Sequence, residues 1–210
     1  GENPHQKSSI YINSLKSDDI NLEKLSGKDL SYNNYNDIFA GLDILFSSSG
    51  TPSTVIIKHA NPCGVSSNTS AYQSFLNAQA SDPISSFGGI VACNYKIGNK
   101  IALEMSKTFF EVILAKGFDK NALRILKKKK NMRIIDISKF RHESDITSKF
   151  FDNTFLLQEK DKIIYEKKKL RFVTKVKPSA NELRDIEFAF RVCKYVKSNA
   201  IVVVKNNSTI

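Results

Sequence analysis

Short, mainly apolar runs alternate with amphipathic segments along most of the chain. The apolar runs, which are typical of buried strands, occur at 55–57, 90–93 and 111–115. Apolar residues recur at helical spacing in the segments 69–80, 100–108 and 120–128. This alternation of strands and helices predicts a three-layer α/β protein, with helices packed on both faces of a sheet.

The two ends of the chain have weaker patterns. The stretch 18–30 is predicted to be loop and turn, followed by a helix with Asn or Asp near its cap. The polar stretch 140–152 is predicted to be irregular. A helix is predicted to start at Pro178, and residues 200–204 to form a fully buried strand. Because a buried strand is a poor place for a domain to end, we expect this chain to be part of a longer protein.

Composition narrows the class of protein. With 41% hydrophobic and 25% charged residues, the chain has enough apolar content for a core and enough charge for an aqueous surface. No apolar run approaches the length of a membrane span, and the first twenty residues are too polar for a signal peptide. We therefore expect a cytoplasmic protein without a membrane partner.

The three cysteines, Cys63, Cys93 and Cys193, are widely spaced and contain no CxxC pair. This spacing argues against a disulfide framework and against a structural zinc site. Reduced thiols fit a cytoplasmic location best.

The net charge of +11 raises the possibility of a nucleic-acid-binding module. The lysines, however, are scattered or lie in runs such as 127–130 and 167–169, without interleaved aromatic residues for base stacking. The abundance of Lys, Asn and Ile would also follow from an AT-biased genome, and we favour this explanation of the charge, so we expect no nucleic-acid partner. The positive field would still attract small anions.

Lys58 and His59 are the first candidates for chemistry, because they directly follow the apolar run 55–57. The carboxyl end of a strand is where open α/β sheets bind ligands, and a cation and an imidazole suit such a site. Neighbouring residues of an extended strand point to opposite faces, so both reach one site only if the strand breaks here. Asn61 and Pro62 are predicted to supply that break. The alternative is a solvated strand end without a role.

Five motifs, in order along the chain, carry a family resemblance: GENPHQ, GKDLSYNN, KHANPCG, DPISSFGGIVA and VKSNAIVVVK. Together they resemble the transformylase part of the bifunctional purine biosynthesis family, in which AICAR transformylase is joined to IMP cyclohydrolase. The resemblance implies a cytidine-deaminase-like α/β sandwich with a mixed sheet, incomplete at its C-terminal side. Residues 1–140 would be its first part, and 141–210 a connecting segment, a helix and the truncated start of the next part.

The activity implied by the resemblance is formyl transfer from 10-formyltetrahydrofolate to AICAR, giving FAICAR, without a metal. His59 would be the base and proton shuttle, and Lys58 would stabilise charge and act as general acid. Residues that match the family's substrate-binding positions are His5, Asn34, Ser86, Phe87, Gly88, Glu111 and Asn199. Read from the residues alone, several of these have plainer explanations, such as a helix cap for Asn34 and a strand-edge charge for Glu111.

The resemblance also implies a homodimer with folate contacts mostly outside this chain, so the chain alone is expected to be inactive. The chain departs from the family pattern at Lys116, where Pro is usual, and at 152–155, where a Gly-Gly pair is usual. An Arg-Tyr pair that precedes the first motif in the family is absent from this chain. His142 is expected to be exposed and without a role.

The fold implied by the resemblance raises a further enzyme alternative, a zinc aminohydrolase that uses His59, Cys63 and Cys93. The sequence argues against it, since it contains neither HxE nor PCxxC.

Overall fold

The computed structural model describes residues 1–12, 20–47, 50–142 and 145–210. Its strands are β1 (Glu23–Ser26), β2 (Ser53–Lys58), β3 (Asn61–Ser67), β4 (Ile90–Cys93), β5 (Val112–Ala115), β6 (Arg133–Asp136), β7 (Ile146–Phe151), β8 (Thr154–Glu159), β9 (Val204–Lys205) and β10 (Ser208–Thr209). Its helices are α1 (Tyr32–Ser47), α2 (Ala71–Ser81), α3 (Pro83–Ser86), α4 (Asn99–Met105), α5 (Lys120–Leu126) and α6 (Ala180–Cys193). Within these ranges, no helix combines the length and apolarity needed to cross a membrane.

Eight of the strands form one open, mixed sheet in the order β1-β6-β5-β4-β2-β3-β10-β9. Strands β4, β5 and β6 are parallel and are connected through α4 and α5, whereas β2 is antiparallel to both of its neighbours, β3 and β4. The predicted α/β class with a mixed sheet is therefore confirmed. The cytidine-deaminase-like assignment and the boundary at residue 140 stay predictions.

The central strands are buried on both faces, and their side chains divide between two apolar clusters. Ile57 packs in the cluster that contains residues of α1 and α6, whereas Ile56 packs in the cluster that contains residues of α2, α4 and α5. Strands β4 and β5 alternate in the same way. Each fully buried Ile or Leu stabilises the fold by about 1.5–3 kcal/mol relative to exposure, which accounts for the continuous apolar runs.

One glycine is required by the packing of α2 on the sheet. A Cβ atom added at Gly64 in β3 would lie 1.9 Å from the carbonyl oxygen of Ala78 in α2. No side chain fits in that space, so a glycine at this position lets helix and strand approach closely.

The prediction of loop and turn over 18–30 is wrong in its middle, where β1 pairs antiparallel with β6. The four residues of β1 include no apolar run; β1 is the edge strand of the sheet, and its extended conformation comes from hydrogen bonds to β6, far along the chain. The prediction for 140–152 is wrong over 146–151, which pairs with β8 in a hairpin. Asp152, at one of the departures from the family pattern, lies in the turn of this hairpin with φ 45°.

Near the C-terminal end, the predicted helix is present as α6, but it begins at Ala180 and not at Pro178, which precedes the cap. Its cap is Ser179, which forms a reciprocal capping box with Glu182. The predicted buried strand over 200–204 is wrong, because only Val204 joins β9, and the side chain of Ile201 is 89% exposed. An apolar run by itself does not identify the partner strand that would bury it.

The prediction that His142 is exposed and without a role is also wrong. Its Nε2 atom lies 2.5 Å from Asp43 Oδ1, and Lys160 Nζ donates to the same oxygen at 2.6 Å. Burial would raise the pKa of Asp43, but hydrogen bonds from His142 and Lys160 outweigh it and hold that pKa below its usual value. The imidazole ring also stacks on Phe46, whose ring lies below the exposed Lys116 ammonium at 5.5 Å.

Candidate functional site

The candidate site is built around the turn between β2 and β3. Strand β2 ends at Lys58 and β3 begins at Asn61, so His59 and Ala60 form a two-residue turn with φ values of 55° and 54°. Positive φ at both positions is typical of a type I′ hairpin turn, which favours Asn and Gly. In His and Ala this left-handed conformation costs about 1–2 kcal/mol per residue. The turn is therefore strained, and its neighbours must hold it.

The position of the break differs from the prediction. Asn61 and Pro62 do not stop the strand; they begin the returning strand β3, where they pair with Lys58 and Ile57. The break lies at His59 instead, because the positive φ of this residue ends the extended conformation of β2. Lys58 and His59 are thereby released from the strict alternation of the strand.

The direction of β2 decides which strand ends surround the site. Because β2 is antiparallel to β4, its carboxyl end lies beside the amino end of β4, with Ile57 opposite Ile90. Strand β5 begins at the same end, with Val112 opposite Ile90. The site thus lies at the carboxyl end of β2, as predicted, and beside the amino ends of the parallel strands β4 and β5.

Lys58 contacts the segment that precedes β4. Its ammonium group donates to the carbonyl oxygen of Phe87 at 2.9 Å. Gly88 follows with φ +73°, which favours glycine, and its N–H donates to the carbonyl of Phe109 at 2.8 Å. The Ser86 hydroxyl is buried and donates to the carbonyl of Pro83 within α3. Of the three residues predicted from the motif DPISSFGGIVA, Phe87 is the one that contacts Lys58, and it does so through its backbone carbonyl.

Asn34 and Glu111 form a direct pair. Asn34 is buried in the first turn of α1, and its Nδ2 atom donates to Glu111 Oε2 at 2.7 Å. Its Oδ1 atom accepts from the backbone N–H of Ser31, and its own N–H donates to the Ser31 hydroxyl. The predicted cap role of Asn34 and its contact with a second site residue are therefore combined in one side chain. Arg133 lies 3.9 Å from the same carboxylate oxygen of Glu111.

Two residues that the sequence analysis missed hold the turn. Asp37 in α1 accepts a hydrogen bond from the backbone N–H of Ala60 at 2.6 Å. Lys197 donates from its ammonium group to the carbonyl of His59 at 3.1 Å. Asp37 lies three residues after Asn34, on the same side of α1, so helical spacing from Asn34 was a signal that could have identified it. Lys197 belongs to the motif VKSNAIVVVK, two residues before Asn199, so that motif was the signal that could have identified it.

The remaining predicted residues lie beside this group. His5 is exposed in an N-terminal turn that reaches α1 through a hydrogen bond from Asn33 to the carbonyl of Glu2. Asn199 is exposed and follows Lys197, which contacts the turn. The structure thus brings Lys58, His59, Phe87, Gly88, Asn34 and Glu111 to one end of the sheet, with His5 and Asn199 at its margins.

The zinc alternative does not fit this geometry. Cys93 pairs with Thr54 at the start of β2, whereas His59 follows its end, so the two are separated by about 16 Å at strand spacing. Among the described residues, no group of three or more His, Cys, Asp or Glu side chains is placed to hold a metal ion. The three residues of the zinc hypothesis therefore do not converge.

Comparison with known proteins gives a consistent result over the whole chain. A family model described as the AICARFT/IMPCHase bienzyme matches residues 1–210. The chain is 44% identical over 211 residues to the bifunctional purine biosynthesis protein PurH of Thermoanaerobacter sp. (strain X514), and 43% identical over 213 residues to that of Aquifex aeolicus (strain VF5). All of this chain is covered in both matches, but it spans only 41% of the length of either relative. The chain belongs to the AICARFT/IMPCHase bienzyme family.

Proposed function

We propose that this protein contributes to formyl transfer from 10-formyltetrahydrofolate to the exocyclic amine of AICAR, the transformylase step of purine biosynthesis. The observation that carries the proposal is the convergence of Lys58 and His59 with the Asn34–Glu111 pair at one end of the sheet. Family membership supports the same reaction. The cytidine-deaminase-like fold and a homodimer with folate contacts from elsewhere belong to this proposal, on the resemblance alone.

The reaction sets three requirements. The amine of AICAR is conjugated with its ring and is a weak nucleophile, so a base must accept its proton as it attacks the formyl carbon. The tetrahedral intermediate carries an oxyanion that needs a nearby cation or hydrogen-bond donor. The departing folate nitrogen must then receive a proton.

His59 is suited to the first requirement because its side chain is exposed and an imidazole nitrogen can accept a proton. Lys58 is suited to the second and third, since its ammonium is held beside the same turn by the Phe87 carbonyl. In this proposal Glu111, anchored by Asn34, accepts hydrogen bonds from the carboxamide of AICAR. Gly88, Ser86 and Phe87 form the wall of the aminoimidazole site, with His5 and Asn199 at its margins.

The test uses the 210-residue chain and a chimera in which this chain replaces the matching stretch of the Thermoanaerobacter protein. Transfer is followed as formation of tetrahydrofolate. We expect H59A in the chimera to lower kcat by roughly 10³-fold, since general acid–base catalysis contributes about 10²–10⁴-fold, while AICAR binding changes little. K58M should lower kcat by a similar order through loss of charge stabilisation.

Matched controls separate chemistry from folding. H142A removes the imidazole that contacts Asp43, and K100M removes the ammonium over the Tyr72 ring; neither residue belongs to the site. Both variants should retain transfer within a few fold. Wild-type turnover in H59A would contradict the role of His59, and a folded chimera without transfer would contradict the proposed function itself.

A further inference from the structure

The peptide group between His59 and Ala60 is held at both ends by opposite charges. Its N–H, from Ala60, donates to the Asp37 carboxylate at 2.6 Å. Its carbonyl, from His59, accepts from the Lys197 ammonium at 3.1 Å. An anion thus faces the positive end of one peptide dipole and a cation faces the negative end, and hydrogen bonds to charged groups are the stronger kind.

This arrangement opposes a specific change of conformation. Rotation of the central peptide converts a type I′ turn into a type II′ turn, in which the first position is normally glycine. His59 occupies that position, and the rotation would also break the bonds to Asp37 and Lys197. Because neither His59 nor Ala60 favours the left-handed region, the two charged contacts are what hold the turn in its observed form.

We infer that Asp37 is a positioning residue that acts through the Ala60 N–H to hold the His59 side chain in its working direction. This inference rests on the proposed function, in which His59 is the base. Helix α1 then has two roles at the site, because Asn34 orients Glu111 and Asp37 orients the turn. Asp37 itself is not required to touch the substrate.

The first measurement does not depend on activity. Amide hydrogen exchange, measured by NMR on the 210-residue chain, should show the Ala60 N–H protected in the wild type and exchanging at least tenfold faster in D37A. D37N keeps a side-chain oxygen as acceptor and should retain most of the protection. D185A is the matched control, since Asp185 accepts from the N–H groups of Asn206 and Asn207 in another positive-φ turn. D185A should speed exchange of the Asn206 and Asn207 amides and leave the exchange rate of the Ala60 amide unchanged.

The second measurement uses the chimera. We expect D37A to lower kcat by roughly 30- to 100-fold, in keeping with the about 10²-fold cost of misplacing a reacting group by 1 Å. The KM values for AICAR and for 10-formyltetrahydrofolate should stay within about threefold, because the binding residues are untouched. D37N should recover most of the lost kcat, and D185A should match the wild type.

K197M removes the hydrogen bond at the other end of the same peptide group. This variant should also lower kcat with little change in KM, and it provides a test if D37A does not fold.

The outcomes distinguish the inference from the proposed function. Faster exchange at Ala60 with unchanged kcat in D37A would overturn the positioning role and leave the proposed function intact. Equal changes in kcat and KM, without recovery in D37N, would overturn it as well, because Asp37 would then act in binding or general stability. A wild-type chimera without transfer would overturn the proposed function and the role of Asp37 with it, even where the exchange data show the contact.

Discussion

At the residue scale, burial decides what the cysteine side chains of this protein can do. Burial, with a smaller contribution from the nearby Asp82 carboxylate, raises the pKa of Cys63 to about 11. Burial raises the pKa of Cys93 to about 12, although hydrogen bonds with Tyr95 and Thr54 act in the opposite direction. At neutral pH both thiols are protonated and are poor nucleophiles, even though Cys63 lies four residues from His59 in the most distinctive motif.

These raised pKa values predict a loss of stability at high pH. A thiol whose folded pKa exceeds its unfolded value stabilises the folded state below the unfolded pKa of about 8.5, and this contribution is lost as the pH rises towards the folded pKa. The free energy of unfolding should therefore fall between about pH 9 and pH 11, and C63A and C93A should each reduce that slope. C193A serves as the comparison, and chemical denaturation at stepwise pH is the measurement. Equal slopes in all three variants would contradict the assignment.

At the scale of single elements, the hairpin of β7 and β8 is attached to the rest of the protein by few side chains. Every residue of both strands is exposed, including Phe150, Phe155 and Leu157. A two-stranded hairpin is marginally stable by itself in water. Lys160, directly after β8, joins it to Asp43 in α1 and to His142, so these half-buried charges form an anchor at its base.

Removing this anchor should loosen the hairpin without unfolding the protein. We expect K160M to speed amide exchange within 146–159 by about tenfold, which corresponds to about 1.4 kcal/mol, while exchange in β4 and β5 is unchanged. The control is K162M, which removes an exposed ion pair with Asp145 at the same end of the hairpin. If K162M loosens the hairpin as much as K160M does, the anchor is not the cluster around Asp43.

At the scale of the whole molecule, the buried part of the fold was predictable, whereas the edge strand β1 and the separate hairpin of β7 and β8 were not. The runs 55–57, 90–93 and 112–115 have no polar face, and such runs are stable only inside a layered structure. Strands β1 and β7 contain polar residues, and they adopt an extended conformation because β6 and β8, respectively, pair with them. Such pairing joins residues that are distant along the chain, and a local pattern contains no sign of it.

The candidate site likewise contains residues that could be predicted from the sequence and residues that could not. Lys58 and His59 were predictable because they follow a buried strand and match a family motif. Asp37, Lys197 and the cluster around Asp43 were missed because each forms contacts with residues from remote parts of the sequence. The antiparallel pairing of β2 with β4, which puts the site beside the amino ends of β4 and β5, likewise depends on residues far apart in the sequence.

The strained turn has a consequence for the order in which the molecule folds. His59 and Ala60 do not favour their own conformation, and the groups that impose it come from 23 and 138 residues away along the chain. Closure of such long loops is slow compared with local structure. In refolding followed by pulsed hydrogen exchange, the Ala60 amide should gain protection after those of the central strands, and early protection of Ala60 would contradict this order. The proposed base then becomes competent only when folding is complete, so partly folded chains would be catalytically silent.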